Sequence, residues 1–216
     1  MTAGRLRWLS RVVIGLALAV PLAACGSSSL RWTEDVLLPD GRTVTLTRYQ
    51  EFKGPSEPFT PPTESFYWFE FKNPDTGQKV RWENDRELVT IALGMDGPVP
   101  TLLTAPNFGG RFSYHCPDPP YLSFRYVDGQ WMRTPLTELQ RKVITPNMTS
   151  LSVSKVRPFI EANHHHLSAA DVAAHGLSIF TGKVIDLSSL KEQTFGDNAR
   201  CYPPFNWMLR NPGDSK

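Results

Sequence analysis

The chain contains 216 residues, with 23 lysines and arginines against 21 aspartates and glutamates. Three of the basic residues lie in the first eleven positions, and the remainder is almost neutral, so the clustered cationic stripe that nucleic-acid binding requires is missing. The 19 prolines and 15 glycines are many for a helical bundle and are typical of short strands separated by turns.

The N-terminal segment has the pattern of an export signal. Three arginines precede a short apolar run, residues 12–20, which cannot span a bilayer as a mature helix. The tetrapeptide 22–25, Leu-Ala-Ala-Cys, follows directly and resembles the lipobox of bacterial lipoproteins. The resemblance implies that the signal peptide, residues 1–24, is removed and that Cys25 carries lipid.

The lipobox resemblance also predicts a location. Gly26 follows the cysteine, whereas an aspartate there is the usual inner-membrane retention signal of the lipoprotein family. We therefore expect a lipid anchor in the outer membrane, on its periplasmic face, where several acyl chains hold a protein stably. We expect residues 25–30 to form a lipidated tether, residues 31–210 a single β-rich periplasmic domain, and residues 211–216 a frayed tail.

Turn signals divide the first part of that domain into hairpins. Pro-Asp-Gly-Arg at 39–42 and Asp-Gly at 128–129 are the clearest of four turns that separate short apolar or alternating runs. The predicted strands are 32–38, 43–49, 66–71, 79–83, 88–95, 99–105, 121–127 and 130–134. This arrangement predicts a mainly β fold, an antiparallel sandwich or partial barrel built from hairpins.

Residues 32–48 are also similar to the opening of uncharacterised lipoproteins of Gram-negative bacteria. That resemblance implies an envelope location and a β-rich fold, and it implies no activity. We infer no site residues from it.

One short helix is predicted in the C-terminal part of the chain. Ser168 is its N-cap, Asp171 occupies the third helical position, Val172 can pack back onto Leu167, and Gly176 ends it.

Cys116 and Cys201 remain once Cys25 is assigned to lipid. In an oxidising periplasm an even remainder indicates a disulfide, and both cysteines lie in similar proline-rich stretches. Closing a loop of about 85 residues stabilises a fold by about 4 kcal/mol in the chain-entropy model. Two unrelated buried thiols are the alternative.

His164, His166 and His175 are the candidate metal ligands, because imidazole is a common ligand of zinc and copper. Consecutive side chains diverge on a strand or a helix, so within the His164–His166 run only the outer two can converge. Solvated histidines are the simpler interpretation, so no metal is favoured and no cofactor is expected.

Aromatic residues at alternate strand positions are expected in the core, since each buries about 150–250 Å². The core candidates of this kind are Phe66, Trp68, Trp82 and Trp131. An exposed aromatic platform for a sugar or a peptide is the alternative, and it requires several of these rings to share one open face.

No catalytic residue is predicted, because the nucleophile elbow, the zinc-protease motif and the phosphate-binding loops do not occur. His115 precedes Cys116, but neighbouring side chains on an extended chain point apart, and a disulfide consumes the thiol. The acidic residues considered as a glycosidase pair, which have no signature spacing, are Asp35, Glu70, Glu83, Asp85 and Glu87. Asn147-Met148-Thr149 matches a glycosylation sequon, a coincidence in an exported bacterial protein.

The sequence thus favours a non-enzymatic binding or envelope-assembly module, with an envelope protein or a glycan as partner and no nucleic acid. A metal-binding or hydrolytic enzyme that uses the histidines is the alternative. Catalysis usually leaves a nucleophile, paired acids or a ligand set. A deep pocket that gathers the histidines or several carboxylates favours the enzyme, whereas a flat apolar or aromatic patch favours a partner surface.

Overall fold

The computed structural model describes residues 28–54, 63–84, 87–196 and Cys201, and two mainly antiparallel sheets form its framework. The mainly β class predicted from the hairpin pattern is confirmed, and the described strands do not close into a barrel.

The first sheet has five strands in the order β11-β1-β2-β3-β4. Its strands are β1 (Ser28–Leu37), β2 (Thr43–Lys53), β3 (Thr63–Lys72), β4 (Lys79–Asn84) and the short β11 (His166–Leu167). The first four pair as antiparallel hairpins, and β11 adds in parallel to the edge of β1.

The second sheet has four strands in the order β5-β6-β8-β9. They are β5 (Leu88–Asp96), β6 (Val99–Pro106), β8 (Leu122–Val127) and β9 (Gln130–Thr134). The β8–β9 turn is the Asp128-Gly129 pair, and both residues have positive φ, as a two-residue hairpin of this type requires. A short helix, α1 (Gly110–Ser113), and the two-residue strand β7 (Pro117–Asp118) lie between β6 and β8.

The main core lies between the two sheets. Leu46, Phe69 and Trp82 from the first sheet share one buried cluster with Leu93 and Leu102 from the second. The hairpins therefore form the sandwich that their alternating pattern favours.

Residues 136–190, which we call the C-terminal segment, contain the remaining helices and pack on both sheets. The segment contains a 3-10 turn (Leu136–Glu138), β10 (Val143–Ile144), α2 (Val153–Ala162), β11, α3 (Ala169–Ala174) and β12 (Ile185–Asp186). Its strands β10 and β12 pair with each other, and after the segment β13 (Thr194–Phe195) pairs with β7. Phe180 and Leu187 of the segment pack on Ala92 and Leu103, on the outer face of the second sheet.

Helix α3 begins as predicted. The Ser168 hydroxyl accepts from the Asp171 N–H at 3.1 Å, and the Asp171 carboxylate accepts from the Ser168 N–H at 2.9 Å. Hydrogen bonds from Ser168 also lower the pKa of Asp171. Leu167 and Val172 lie in the same buried cluster, as expected for a hydrophobic contact across the helix start.

The prediction of a single short helix is incomplete, because α1 and the ten-residue α2 form as well. Val153, Val156 and Ile160 give α2 one buried stripe, which packs on Leu30 and Trp32 of β1. Pro158 stands inside this helix, and a proline there obscures the helical pattern in the sequence.

The boundary between tether and domain also needs correction. Strand β1 begins at Ser28, and Leu30 is already buried against α2. Residues 28–30, which were predicted to be part of the tether, therefore belong to the first strand. None of the helices in the described ranges has the length and apolar character that crossing a membrane requires.

Candidate functional site

A cavity of about 950 Å³ opens beside the outer face of the second sheet. Ala92, Gly94 and Leu103 of β5 and β6 line one side of it. The remaining walls are the β1–β2 turn around Leu37, residues 139–147, one side of α3, and residues 178–182. The cavity therefore lies where the C-terminal segment and the second sheet fail to close on each other.

Small side chains create this space. Ala169, Ala170 and Ala173 of α3 line the cavity together with Ala92 and Gly94. A Cβ atom at Gly94 would lie 3.0 Å from Thr101 Oγ1, so even alanine would be tight there. The opening carries exposed apolar side chains, since Leu37 is 52% and Val143 57% solvent-exposed. An open, mostly apolar space of this size is typical of sites for small molecules, which measure about 300–1,000 Å³.

The cavity has few charged groups. Asp96 lies in its wall, where Oδ2 accepts from Arg125 at 3.0 Å and balances its charge, while Oδ1 is buried without a hydrogen-bond partner among the described residues. Arg141 is exposed, lines the cavity, and makes no hydrogen bond or ion pair with any residue in the described part of the chain. The charge left unpaired at this site is thus positive.

Asn147 joins the cavity wall to both sheets. Its Nδ2 donates to the Leu37 and Leu93 carbonyls, both at 2.9 Å, and its Oδ1 accepts from the Leu93 N–H at 2.9 Å. One side chain therefore connects the end of β1 to the middle of β5. The residue predicted to match a sequon only by coincidence has an internal structural role.

Thr149 fixes the same part of the C-terminal segment through a buried ion pair. Glu34 is fully buried, and it accepts from Arg48 Nη1 at 2.7 Å and from the Thr149 N–H at 2.7 Å. The same Arg48 nitrogen donates to the Thr149 carbonyl at 3.0 Å. The backbone of Thr149 thus bonds to both members of the pair.

The three candidate metal ligands do not converge. His166 contacts Thr33 at 2.9 Å and Asp35 at 3.3 Å, whereas the His175 ring packs on Phe159 with a centroid distance of 4.9 Å. His164 has positive φ in the turn after α2, and its side chain is exposed. Within the described ranges, no three His, Cys, Asp or Glu side chains are grouped to hold a metal ion. None of the three histidines lines the cavity.

The acidic residues are likewise separate. Glu70 and Glu83 lie on the outer face of the first sheet in ion pairs with Arg81, Asp35 accepts from Thr45 at 2.7 Å, and Glu87 accepts from Ser113 at 2.6 Å. Asp85 lies outside the described residues. Glu70 and Glu83 thus share Arg81, whereas Asp35 and Glu87 each accept from a hydroxyl neighbour of their own, and none of these four placed carboxylates lines the cavity.

The aromatic residues divide between the core and the surface. Trp82 is buried, and Trp131 packs edge-on against it with ring centroids 5.5 Å apart. Phe66 is only half-buried. Trp68 is not in the core, so that expectation was wrong: it lies on the outer face of the first sheet, stacked on Tyr49 at 5.4 Å.

The outer face around Trp68 is occupied by its own neighbours. Arg81 lies 4.2 Å and Arg31 5.7 Å from the Trp68 ring centroid, and Arg81 also pairs with Glu83 at 2.6 Å. We call this surface, with Tyr49 included, the Trp68 face. Because Tyr49 and Arg81 already contact the ring, the Trp68 face lacks the open ring surface that sugar stacking requires.

Cys116 and Cys201 lie at disulfide distance, with Cα atoms 5.4 Å apart, in agreement with the predicted pair. Cys116 is therefore not a free thiol beside His115. His115 and Cys116 both have positive φ, in the turn between α1 and β7.

Sequence reasoning did not find the cavity, because its walls come from six separate parts of the chain and no local motif marks it. A comparison with protein-family models finds no match to this chain, and comparisons with curated proteins and with solved structures find none either. A function must therefore be argued from the residues themselves.

Proposed function

We propose that this protein is an outer-membrane lipoprotein, acylated at Cys25 and facing the periplasm, whose folded part is a non-enzymatic binding module. The open, mostly apolar cavity is the observation that carries the binding role. A module that binds needs such a space, whereas an enzyme also needs reactive groups directed into it. The carboxylate that lines the cavity is already paired with an arginine, and the three candidate histidines lie elsewhere.

The position of β1 supports the anchoring role. Only Gly26 and Ser27 separate Cys25 from Ser28, and three fully extended residue steps span at most about 11 Å. A lipid on Cys25 therefore holds the start of the first strand close to the membrane surface. The partner is expected in the envelope, as an envelope protein, a glycan or a lipid.

Acylation and sorting are tested together in cells. Labelled palmitate should enter the wild-type protein and the Gly26→Asp variant but not the Cys25→Ser variant. Fractionation should find the wild type in the outer membrane and Gly26→Asp in the inner membrane. Palmitate incorporation into Cys25→Ser would refute the lipobox assignment.

The binding role is tested by site-specific photocrosslinking in intact cells. A photoreactive residue at Thr145, in the cavity wall, should capture an identifiable envelope component that the same residue at Thr47, on the outer face of the first sheet, does not capture. Equal capture at the two positions argues against a specific site. Stoichiometric zinc binding that depends on His164, His166 and His175 would instead support the alternative, a metal-binding or hydrolytic enzyme.

A further inference from the structure

We propose that the cavity binds a single-chain amphiphile with an anionic head group, the acyl chain lying along the apolar walls and the head group on Arg141. This inference rests on the binding role proposed above and specifies its ligand. The shared chemistry is an acyl chain joined to a carboxylate or a phosphate.

The mostly apolar character of the lining favours an acyl chain. Ala92, Gly94, Leu103, Ala170 and Ala173 belong to this apolar majority, and polar side chains such as Gln140 and Thr181 are the minority. The exposed Leu37 and Val143 extend this apolar surface to the opening. Apolar area that is open to water in this way is stabilised when a chain covers it, by about 25 cal/mol per Å².

The charges at the site favour an anion at the opening. Arg141 is exposed in the lining and has no partner among the described residues. Asp96 is the acidic residue in the lining, and its pairing with Arg125 at 3.0 Å limits its repulsion of an anion. An arginine that donates to a carboxylate or phosphate makes a charge-assisted, often bidentate interaction.

The cavity lies at the end of β1 that is remote from the proposed lipid anchor. Ser28, which follows Cys25 closely in the chain, begins the strand, whereas Leu37 at its other end lines the cavity. The nine residue steps between Ser28 and Leu37 extend about 30 Å. The occupant that we propose is therefore a separate amphiphile.

The test uses the full-length acylated protein in nanodiscs of neutral lipid, with a photoactivatable twelve-carbon fatty acid as the probe. Mass spectrometry of the labelled peptides should place the label on residues 139–147 and on α3. Unlabelled dodecanoate should compete about tenfold more strongly than dodecanol, which has the same chain without the charge. Lysophosphatidylglycerol in a further arm distinguishes a phosphate from a carboxylate as the preferred head group.

Two variants with matched controls locate the two ends of the ligand. Ala170→Trp places an indole in the cavity and should weaken labelling at least tenfold, whereas Ala174→Trp, an exposed alanine of the same helix outside the lining, should label like the wild type. Arg141→Gln should weaken dodecanoate about tenfold and leave dodecanol unchanged. Lys155→Gln, an exposed cation on α2, should change neither.

Equal competition by dodecanol and dodecanoate overturns the head-group assignment, and equal labelling of the two tryptophan variants overturns the cavity as the site. Arg141→Gln changes an exposed side chain and should leave the fold intact, so it still tests the inference if Ala170→Trp destabilises α3. Failure of the proposed anchoring appears instead in the Cys25→Ser experiment, which leaves the cavity lining unchanged.

Discussion

The outer faces of the two sheets are built in different ways. The side chains of the Trp68 face contact one another through ring stacking, cation–π contacts and ion pairs. The outer face of the second sheet is instead covered in part by the C-terminal segment, which leaves the cavity. A face whose side chains already contact one another leaves little surface for a ligand, whereas an incompletely covered face leaves apolar area exposed.

The two faces should also differ in what stabilises them. Contacts on the Trp68 face are solvent-exposed, and contacts of that kind contribute little individually. The C-terminal segment is held near the cavity by a few polar groups, above all the buried Glu34 and the partly buried Asn147. Substitutions of those groups should therefore have the largest effects.

The largest effect is expected for Glu34→Gln. The amide keeps the shape of the side chain but leaves the buried Arg48 without a counter-ion, which should lower the free energy of unfolding by about 3–5 kcal/mol in urea titrations. Glu70→Gln is the control, since its partner Lys79 is mostly exposed, and it should lose less than about 1 kcal/mol. Similar losses in the two variants would remove the distinction between the faces.

Asn147→Ala should rank next. It leaves the Leu93 N–H and the Leu37 and Leu93 carbonyls without this partner, and we expect a loss of about 2–3 kcal/mol together with weaker protection of β5 amides from hydrogen exchange. Thr145→Ala, at an exposed position of the same segment, should leave both measurements near the wild type. Unchanged exchange in β5 would show that Asn147 does not connect the sheets.

Tyr67 links the two sheets and should make the free energy of unfolding depend on pH. Its hydroxyl donates to the Leu88 carbonyl at 2.9 Å, where β5 begins, and burial raises its pKa to about 12. Below pH 10 both the folded and unfolded states keep the proton; between about pH 10 and 12 the unfolded state loses it first. The free energy of unfolding should therefore fall by about 2 kcal/mol as pH rises through this range.

Tyr67→Phe should remove most of that slope in urea titrations at several pH values. Burial also raises the pKa of Tyr121, so a smaller slope should remain. A slope equal to that of the wild type would assign the effect to other groups.

Ser168→Ala should have a smaller effect, because it removes one cap from the helix that forms a cavity wall. The expected loss is about 1 kcal/mol, accompanied by faster exchange of the amides in the first turn of α3. Ser189→Ala, an exposed serine outside the helices, is the matched substitution and should be neutral. No loss in Ser168→Ala would mean that packing alone fixes α3.

Arg81→Gln should have the smallest effect, although Arg81 contacts Trp68, Glu70 and Glu83. Water screens these contacts, so we expect a loss of at most about 1 kcal/mol by thermal or urea unfolding. A larger loss than that of Asn147→Ala would reverse the order proposed for the two faces.

The features that the sequence predicted well have local causes. Asp128-Gly129 defines its hairpin within two residues, and β9 occupies the predicted interval Gln130–Thr134. Ser168 and Asp171 likewise define the start of α3 within four positions. Local signals of this kind do not depend on the rest of the fold.

Features with distant causes were missed. Helix α2 lacks a local cap, because the N–H of Val153 donates to Glu64 of β3, 89 residues earlier. The cavity lining likewise depends on residues that are far apart in the sequence, since it joins the β1–β2 turn to α3. Trp68 was misplaced for another reason: four consecutive aromatic residues, 66–69, carry no polar residue that marks the outer face of the strand.

The role of Asn147 determines how this protein can be produced. A eukaryotic secretory pathway attaches glycans to the side-chain nitrogen of asparagine in Asn-X-Thr, and residues 147–149 satisfy that rule. The nitrogen donates both of its hydrogens, one to the Leu37 carbonyl and one to the Leu93 carbonyl, and glycosylation replaces one of them. A glycosylated chain should therefore lose one of these two links between the sheets, and a host without this modification is the appropriate source of the native protein.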